Sequence, residues 1–178
     1  MGVKRLLVDH QKLEYEGPFE LKAFLTFIDR WAFERGFDRK LDKDFELDTK
    51  EGRHLEWETS HWKKMSDYAK FILRLRILVY NYRKVDAVQE DKKVRIGSGY
   101  ILIYVDGYLE TDYFHKWDFH PVFIFIRSLM EKFVYRAYTE RFEQRLTYDM
   151  THLYSQMERF LNVYRHYRVV KIVPHYAY

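Results

Sequence analysis

Residues 69–112 read AKFILRLRILVYNYRKVDAVQEDKKVRIGSGYILIYVDGYLETD, two long alternating runs around the polar turn Gln89-Glu90-Asp91-Lys92-Lys93. Phe71, Leu73, Leu75, Ile77 and Val79 share one parity in the first run, and Ile101, Ile103, Val105 and Leu109 share one in the second. Strand side chains alternate between faces, so alternation of this length restricts the stretch to a half-buried antiparallel hairpin. If Val88 and Val94 flank the turn, paired residue numbers sum to 182. Val79 then meets Ile103, Ile77 meets Val105 and Leu73 meets Leu109. A one-residue slip would turn every one of these outward, so the apolar pattern selects the register. The other face carries Arg76 opposite Asp106, Arg74 opposite Tyr108, Tyr82 opposite Tyr100 and Leu78 opposite Tyr104. A turn at Asp106-Gly107 would set Glu110 against Ile103, so Gly107 reads as a bulge or bend inside one curved strand.

A third strand precedes the hairpin. Residues 53–62 carry Leu55, Trp57 and Thr59 on one parity and Glu56 and Glu58 on the other. Pairing Trp57 with Leu75 sets Glu56 opposite Arg76 and Glu58 opposite Arg74. That arrangement makes the two arginines scaffold charges rather than a binding platform.

Elsewhere, residues 3–15 form a strand with Val3, Leu7, Leu13 and Tyr15 on one parity. Gly17-Pro18 opens a helix with proline at its first position. Its stripe is Leu21, Phe24, Leu25, Ile28, Trp31 and Ala32, and Gly36 is its left-handed stop. Residues 37–52 are a polar, mobile loop with a short strand around Phe45. From His120-Pro121 to about residue 167 the pattern is helical, with apolar positions at Phe133, Phe142, Leu146, Met150, Leu153, Met157, Phe160, Leu161 and Tyr164. One rod of about 45 residues would measure nearly 70 Å, against a radius of gyration of about 16 Å for a compact domain of this length. A break between residues 139 and 149 is therefore expected. Residues 169–173 form a short β-like tail. The class is α+β in one domain, 1–178. A curved antiparallel sheet of about four strands is packed on one face by the N-terminal helix and the long C-terminal helical segment.

This element order resembles the helix-grip architecture of START-like ligand carriers, which implies an apolar ligand between sheet and helix. The runs Gly17-Pro18-Phe19-Glu20-Leu21-Lys22 and Asp106-Gly107-Tyr108-Leu109-Glu110-Thr111-Asp112-Tyr113 resemble an uncharacterised family of small archaeal proteins. That resemblance implies an archaeal source and brings no activity with it.

Motif chemistry is sparse. No cysteine is present, which excludes disulfides, thiolate metal sites and cysteine nucleophiles. GxGxxG, P-loop, HExxH and GxSxG motifs are absent, and Gly97-Ser98-Gly99 precedes a strand rather than opening a helix. Asp112, His115, Asp118 and His120 cluster in one connection, but Phe114, Trp117 and Phe119 interleave as core anchors would, so the stretch reads as a structured loop. No enzyme, cofactor or metal is expected. Only two asparagines among many charges point to a hot environment. The apolar runs are far short of the ~20 residues that span a bilayer, and the N-terminus lacks a signal pattern, so a cytoplasmic protein without a membrane partner is expected.

The functional signal is basic and aromatic. On a helix, Arg141, Arg145, Tyr148, His152 and Arg159 fall along one line, opposite the apolar stripe. Tyr164, Arg165, Tyr167, Arg168 and Lys171 follow, and no acid occurs after Glu158. Cations interleaved with planar rings suit phosphate contacts and base stacking, so RNA or a ribonucleoprotein such as the ribosome is the expected partner. Tyr80, Tyr82, Tyr100, Tyr104 and Tyr108 on the second sheet face form a candidate interface, including one for self-association into a homodimer.

Overall fold

The computed structural model describes residues 3–50, 52–66, 69–89, 92–111 and 135–172. Strand β1 (Val3–Pro18) leads into helix α1 (Leu21–Glu34), followed by β2 (Asp38–Thr49), β3 (Gly52–Lys64), β4 (Ala69–Gln89) and β5 (Lys92–Thr111). Helix α2 (Tyr135–Val163) continues through a 3₁₀ turn at Tyr164–His166 into β6 (Arg168–Ile172). The fold is α+β. Its sheet is open and antiparallel in the order β1-β5-β4-β3-β2, and β6 is added beside β4 at residues 85–88, past the end of β3. The expected four strands are thus five on one path with a sixth beside them. No described helix is long and apolar enough to cross a membrane.

The hairpin forms with the expected faces in a different register. Ala69 pairs with Thr111 and Tyr80 with Tyr100, so paired numbers total 180 along the body. Beyond a shift at Asn81, from Arg83↔Ser98 to Gln89↔Lys92, they total 181. Two single-residue offsets, one at the hairpin end and one at Asn81, add to two. The core-facing side chains therefore keep their face, and Val79 meets Ile101 instead of Ile103. Phe71, Leu73, Leu75, Ile77, Val79, Ile101, Ile103, Val105 and Leu109 are all buried against Phe24, Ile28 and Trp31 of α1 and Leu146, Met150, Leu153 and Met157 of α2. Each such side chain contributes about 1.5–3 kcal/mol on leaving water.

Asn81 makes the offset possible by adopting φ of 54°, a left-handed conformation open mainly to Gly, Asn and Asp. Glycines flank it on both neighbouring strands. A Cβ on Gly52 would lie 2.8 Å from the Asn81 carbonyl carbon, and one on Gly99 would lie 2.8 Å from the Tyr80 oxygen. Gly107 stays inside one strand, pairing regularly with Leu73, and the bulge faces it from β1, where His10 has φ of 47°. The glycine serves packing instead, because a Cβ there would fall 2.1 Å from the Met150 sulfur of α2.

Three expectations are corrected. Residues 38–49, expected as a loop with only a short strand around Phe45, form one continuous edge strand β2, whose side chains are exposed almost throughout. Its charges and the bulge between Leu41 and Lys43 protect an otherwise open edge. Pro18 does not open α1; it pairs with Ser98 as the last residue of β1, and the helix begins three residues later. The Leu21 N–H is capped from the sheet by the Tyr82 hydroxyl at 3.3 Å. Finally, α2 runs unbroken for 29 residues through the expected break. Gly36 terminates α1 as expected, at φ of 74°.

Behind α1, β3 buries His61 beside Asp29, with Nε2 3.6 Å from Asp29 Oδ1. Among the described residues neither ring nitrogen nor that oxygen has a hydrogen-bond partner, whereas Arg39 holds the other Asp29 oxygen at 2.6 Å. Burial lowers the His61 pKa, against the opposing pull of Asp29. The unfolded chain therefore takes up this proton more readily than the folded one. The resulting stability is present above the unfolded value of 6.5 and is lost as pH falls below it. Urea melts between pH 7 and 5 should show a loss of up to about 1.4 kcal/mol per pH unit, and His61→Leu should flatten that slope.

Candidate nucleic-acid interface

Helix α2 exposes Arg141, Arg145 and Arg159 to solvent, and Tyr148 is 64% exposed on the same line. His152 sits between them but is half-buried, because α1 packs against this flank of the helix. Its Nδ1 accepts the Trp31 indole N–H at 3.0 Å, with the rings 23° from parallel. Burial, then the nearby Arg35 charge, lower its pKa, which favours the neutral ring that this hydrogen bond requires. One turn earlier, the buried Asp149 carboxylate pairs with Arg35. The Arg35 guanidinium also lies 5.1 Å from the Trp31 ring and 5.9 Å from the Tyr148 ring. Arg141, Arg145, Tyr148 and Arg159 thus lie exposed opposite the buried stripe of Leu146, Met150, Leu153 and Met157, as expected, and only His152 on that line reaches α1. The line borders the α1–α2 seam.

Towards the C-terminal end of α2 the seam becomes aromatic. Phe27 of α1 stacks on Phe160 at 5.3 Å and 24°. Phe160 is 5.6 Å from Tyr164, and Tyr164 is 5.4 Å from Tyr167. The four rings form a ladder from the helix pair into the 3₁₀ turn, with Arg159 and Arg165 exposed beside it. A surface groove of about 530 Å³ opens along its upper end, lined by Glu20, Lys22, Thr26, Phe27, Arg30 and Phe160 among others. Burial raises the Tyr164 pKa, keeping its hydroxyl protonated. Tyr164 and Tyr167 also cover the small cluster of Val85, Ala87 and Ile96. Arg168 and Lys171 lie on β6, paired with Val88 and Asp86 of β4, so the tail crosses to the sheet instead of prolonging the helical line.

Nothing in the sequence pattern singles out Phe27 and Phe160, which line the groove. Phe160 was absorbed into the apolar stripe, and Phe27 lies outside the stripe of α1. The available signal is that Phe27 is a large apolar residue at the edge of the stripe, next to the polar Thr26 and Arg30 side of the helix.

Cations on the outer sheet face behave differently. Arg74 pairs with Glu58, Arg76 lies 3.9 Å from both Glu56 and Glu58, Lys43 pairs with Glu56, Lys12 with Glu14, and Lys70 with Glu110 at 2.7 Å. The arginine–glutamate pairing holds even though the register differs from expectation. Glu58 faces Arg76, and Arg74 reaches it diagonally from opposite Ser60. By contrast, Arg141, Arg145, Arg159 and Arg165 form no ion pair with a described residue.

Of the outer-face tyrosines, Tyr80 is 38% exposed and stacks on Tyr100 at 6.1 Å. Tyr104 meets His10 edge-on at 5.9 Å, and Tyr108 lies 4.2 Å beneath the Lys4 ammonium. Tyr82 does not belong with them. The Asn81 bulge turns it to the helix side, where its ring lies 5.4 Å from Phe19 and packs on the core. Near this face, ligand-type atoms of Asp9, His10 and Asp106 lie within 4.8 Å of one another. The Asp106 carboxylate accepts the His10 backbone N–H at 2.8 Å, which anchors the β1 bulge, and Asp9 and then Asp106 raise the His10 pKa. Asp112, His115, Asp118 and His120 lie outside the described residues.

No family model, curated protein or solved structure matches the chain.

Proposed function

We propose that this chain is a non-enzymatic RNA-binding protein whose α1–α2 seam contacts RNA free or within a particle such as the ribosome, in the cytoplasm. One observation carries the reading: exposed Arg159 and Arg165, which form no ion pair with a described residue, stand beside an aromatic ladder, whereas Lys43, Lys70 and Arg74 on the sheet are paired to glutamates. A guanidinium without an ion pair to a described residue releases counterions from phosphate without first breaking such a pair, and planar rings add stacking. The paired cations on the sheet would lose an existing partner on contact, so that face is the weaker phosphate surface.

Filter binding of RNA against salt tests the reading. Four to six phosphate contacts on a single strand give a log K against log salt slope of roughly −3 to −4. A slope near zero, or no binding at low salt, rejects it.

A further inference from the structure

We propose that the groove between α1 and the C-terminal half of α2 holds one unstacked nucleobase, which makes the preferred partner single-stranded RNA. The inference rests on the RNA-binding reading and goes further by assigning a base subsite. Three features carry it. Phe27 and Phe160 are half-buried, so they offer ring surface at the groove while the rest of each ring packs inward. Phe160, Tyr164 and Tyr167 then continue at 5.6 and 5.4 Å, a succession of rings beside which consecutive bases can stack. The groove of about 530 Å³ falls in the size range of small-ligand sites. Its rim supplies Lys22 and Arg30 for flanking phosphates and the Glu20 carboxylate as acceptor for an exocyclic amino group. A duplex can use the arginines, but its bases are paired and stacked away from such a groove.

The test is fluorescence anisotropy of the full chain with a labelled oligoadenylate of about 12 nucleotides, alone and in duplex with oligouridylate. Wild-type protein is expected to bind the single strand about tenfold more tightly than the duplex. Phe160→Leu, which keeps an apolar side chain, should weaken single-strand binding roughly five- to tenfold and leave duplex binding unchanged. Because Phe160 also packs on Phe24, Phe27→Leu, at the other half-buried ring lining the groove, is the second variant, and it should weaken the single strand selectively. Equal affinity for both forms, or single-strand binding unaltered in both variants, overturns the base subsite while the RNA reading stands. Absence of binding to either form by wild-type protein overturns both.

Discussion

Changing Arg141, Arg145, Arg159 and Arg165 together to glutamate is expected to weaken RNA binding by about a thousandfold at moderate salt. These side chains are exposed and make no ion pair with a described residue, so their removal does not strand a buried acid. Stability should shift by only about 0.5 kcal/mol or less per site. Each lost phosphate contact should also reduce the magnitude of the salt slope by about 0.7. Lys12→Gln and Lys43→Gln, which remove cations paired to Glu14 and Glu56 on the sheet, serve as the comparison and should leave affinity nearly unchanged. Retention of wild-type affinity by the quadruple variant would reject the proposed interface. Equal loss in the lysine variants would move it to the sheet.

Arg35→Ala is expected to give the largest loss of stability among single polar substitutions at the helix seam, about 3 kcal/mol. Asp149 is buried on α2 and Arg35 is its ion-pair partner from the end of α1. Removing the guanidinium leaves a carboxylate in a poorly hydrated site and deletes the contact with the Trp31 ring. For a chain of this length that cost lowers the melting temperature by about 6–12 °C. The uncompensated charge makes up much of the cost, so Arg35→Ala combined with Asp149→Asn should be more stable than Arg35→Ala alone. Thermal melts of the four proteins in that cycle decide the matter. An additive double variant would show that the two side chains do not interact.

Sequence reading succeeded where the determining physics is local. The alternation of Phe71 to Val79 and of Ile101 to Leu109 reports which side chains share a face, and a register offset of two leaves that unchanged. Glu58 keeps Arg74 and Arg76 as partners despite the same kind of offset, because long side chains reach diagonal neighbours across a sheet. It failed where neighbours set the outcome. β2 has only Leu41, Phe45 and Leu47 on one parity, all about half exposed, and is a full strand because β3 offers it backbone hydrogen bonds. The expected break in α2 assumed a compact sphere. A 21-residue strand can extend about 70 Å at 3.3 Å per residue, so a 29-residue helix of about 44 Å has a sheet to lie along.

What the sequence determined by itself is the hairpin's faces, the apolar stripes of the two helices and the excess of cations without acids in the last twenty residues. All of these are periodicities or counts, and they survive any packing that keeps the backbone regular. Tertiary structure decided two things that bear on function. The left-handed Asn81, seated between Gly52 and Gly99, moved Tyr82 from the outer face to the core. The docking of α1 against α2 formed a seam beside the line of basic residues, joining Phe27 to Phe160 and His152 to Trp31. Both outcomes depend on close approaches between elements far apart in the chain, and side-chain periodicity carries no record of such approaches.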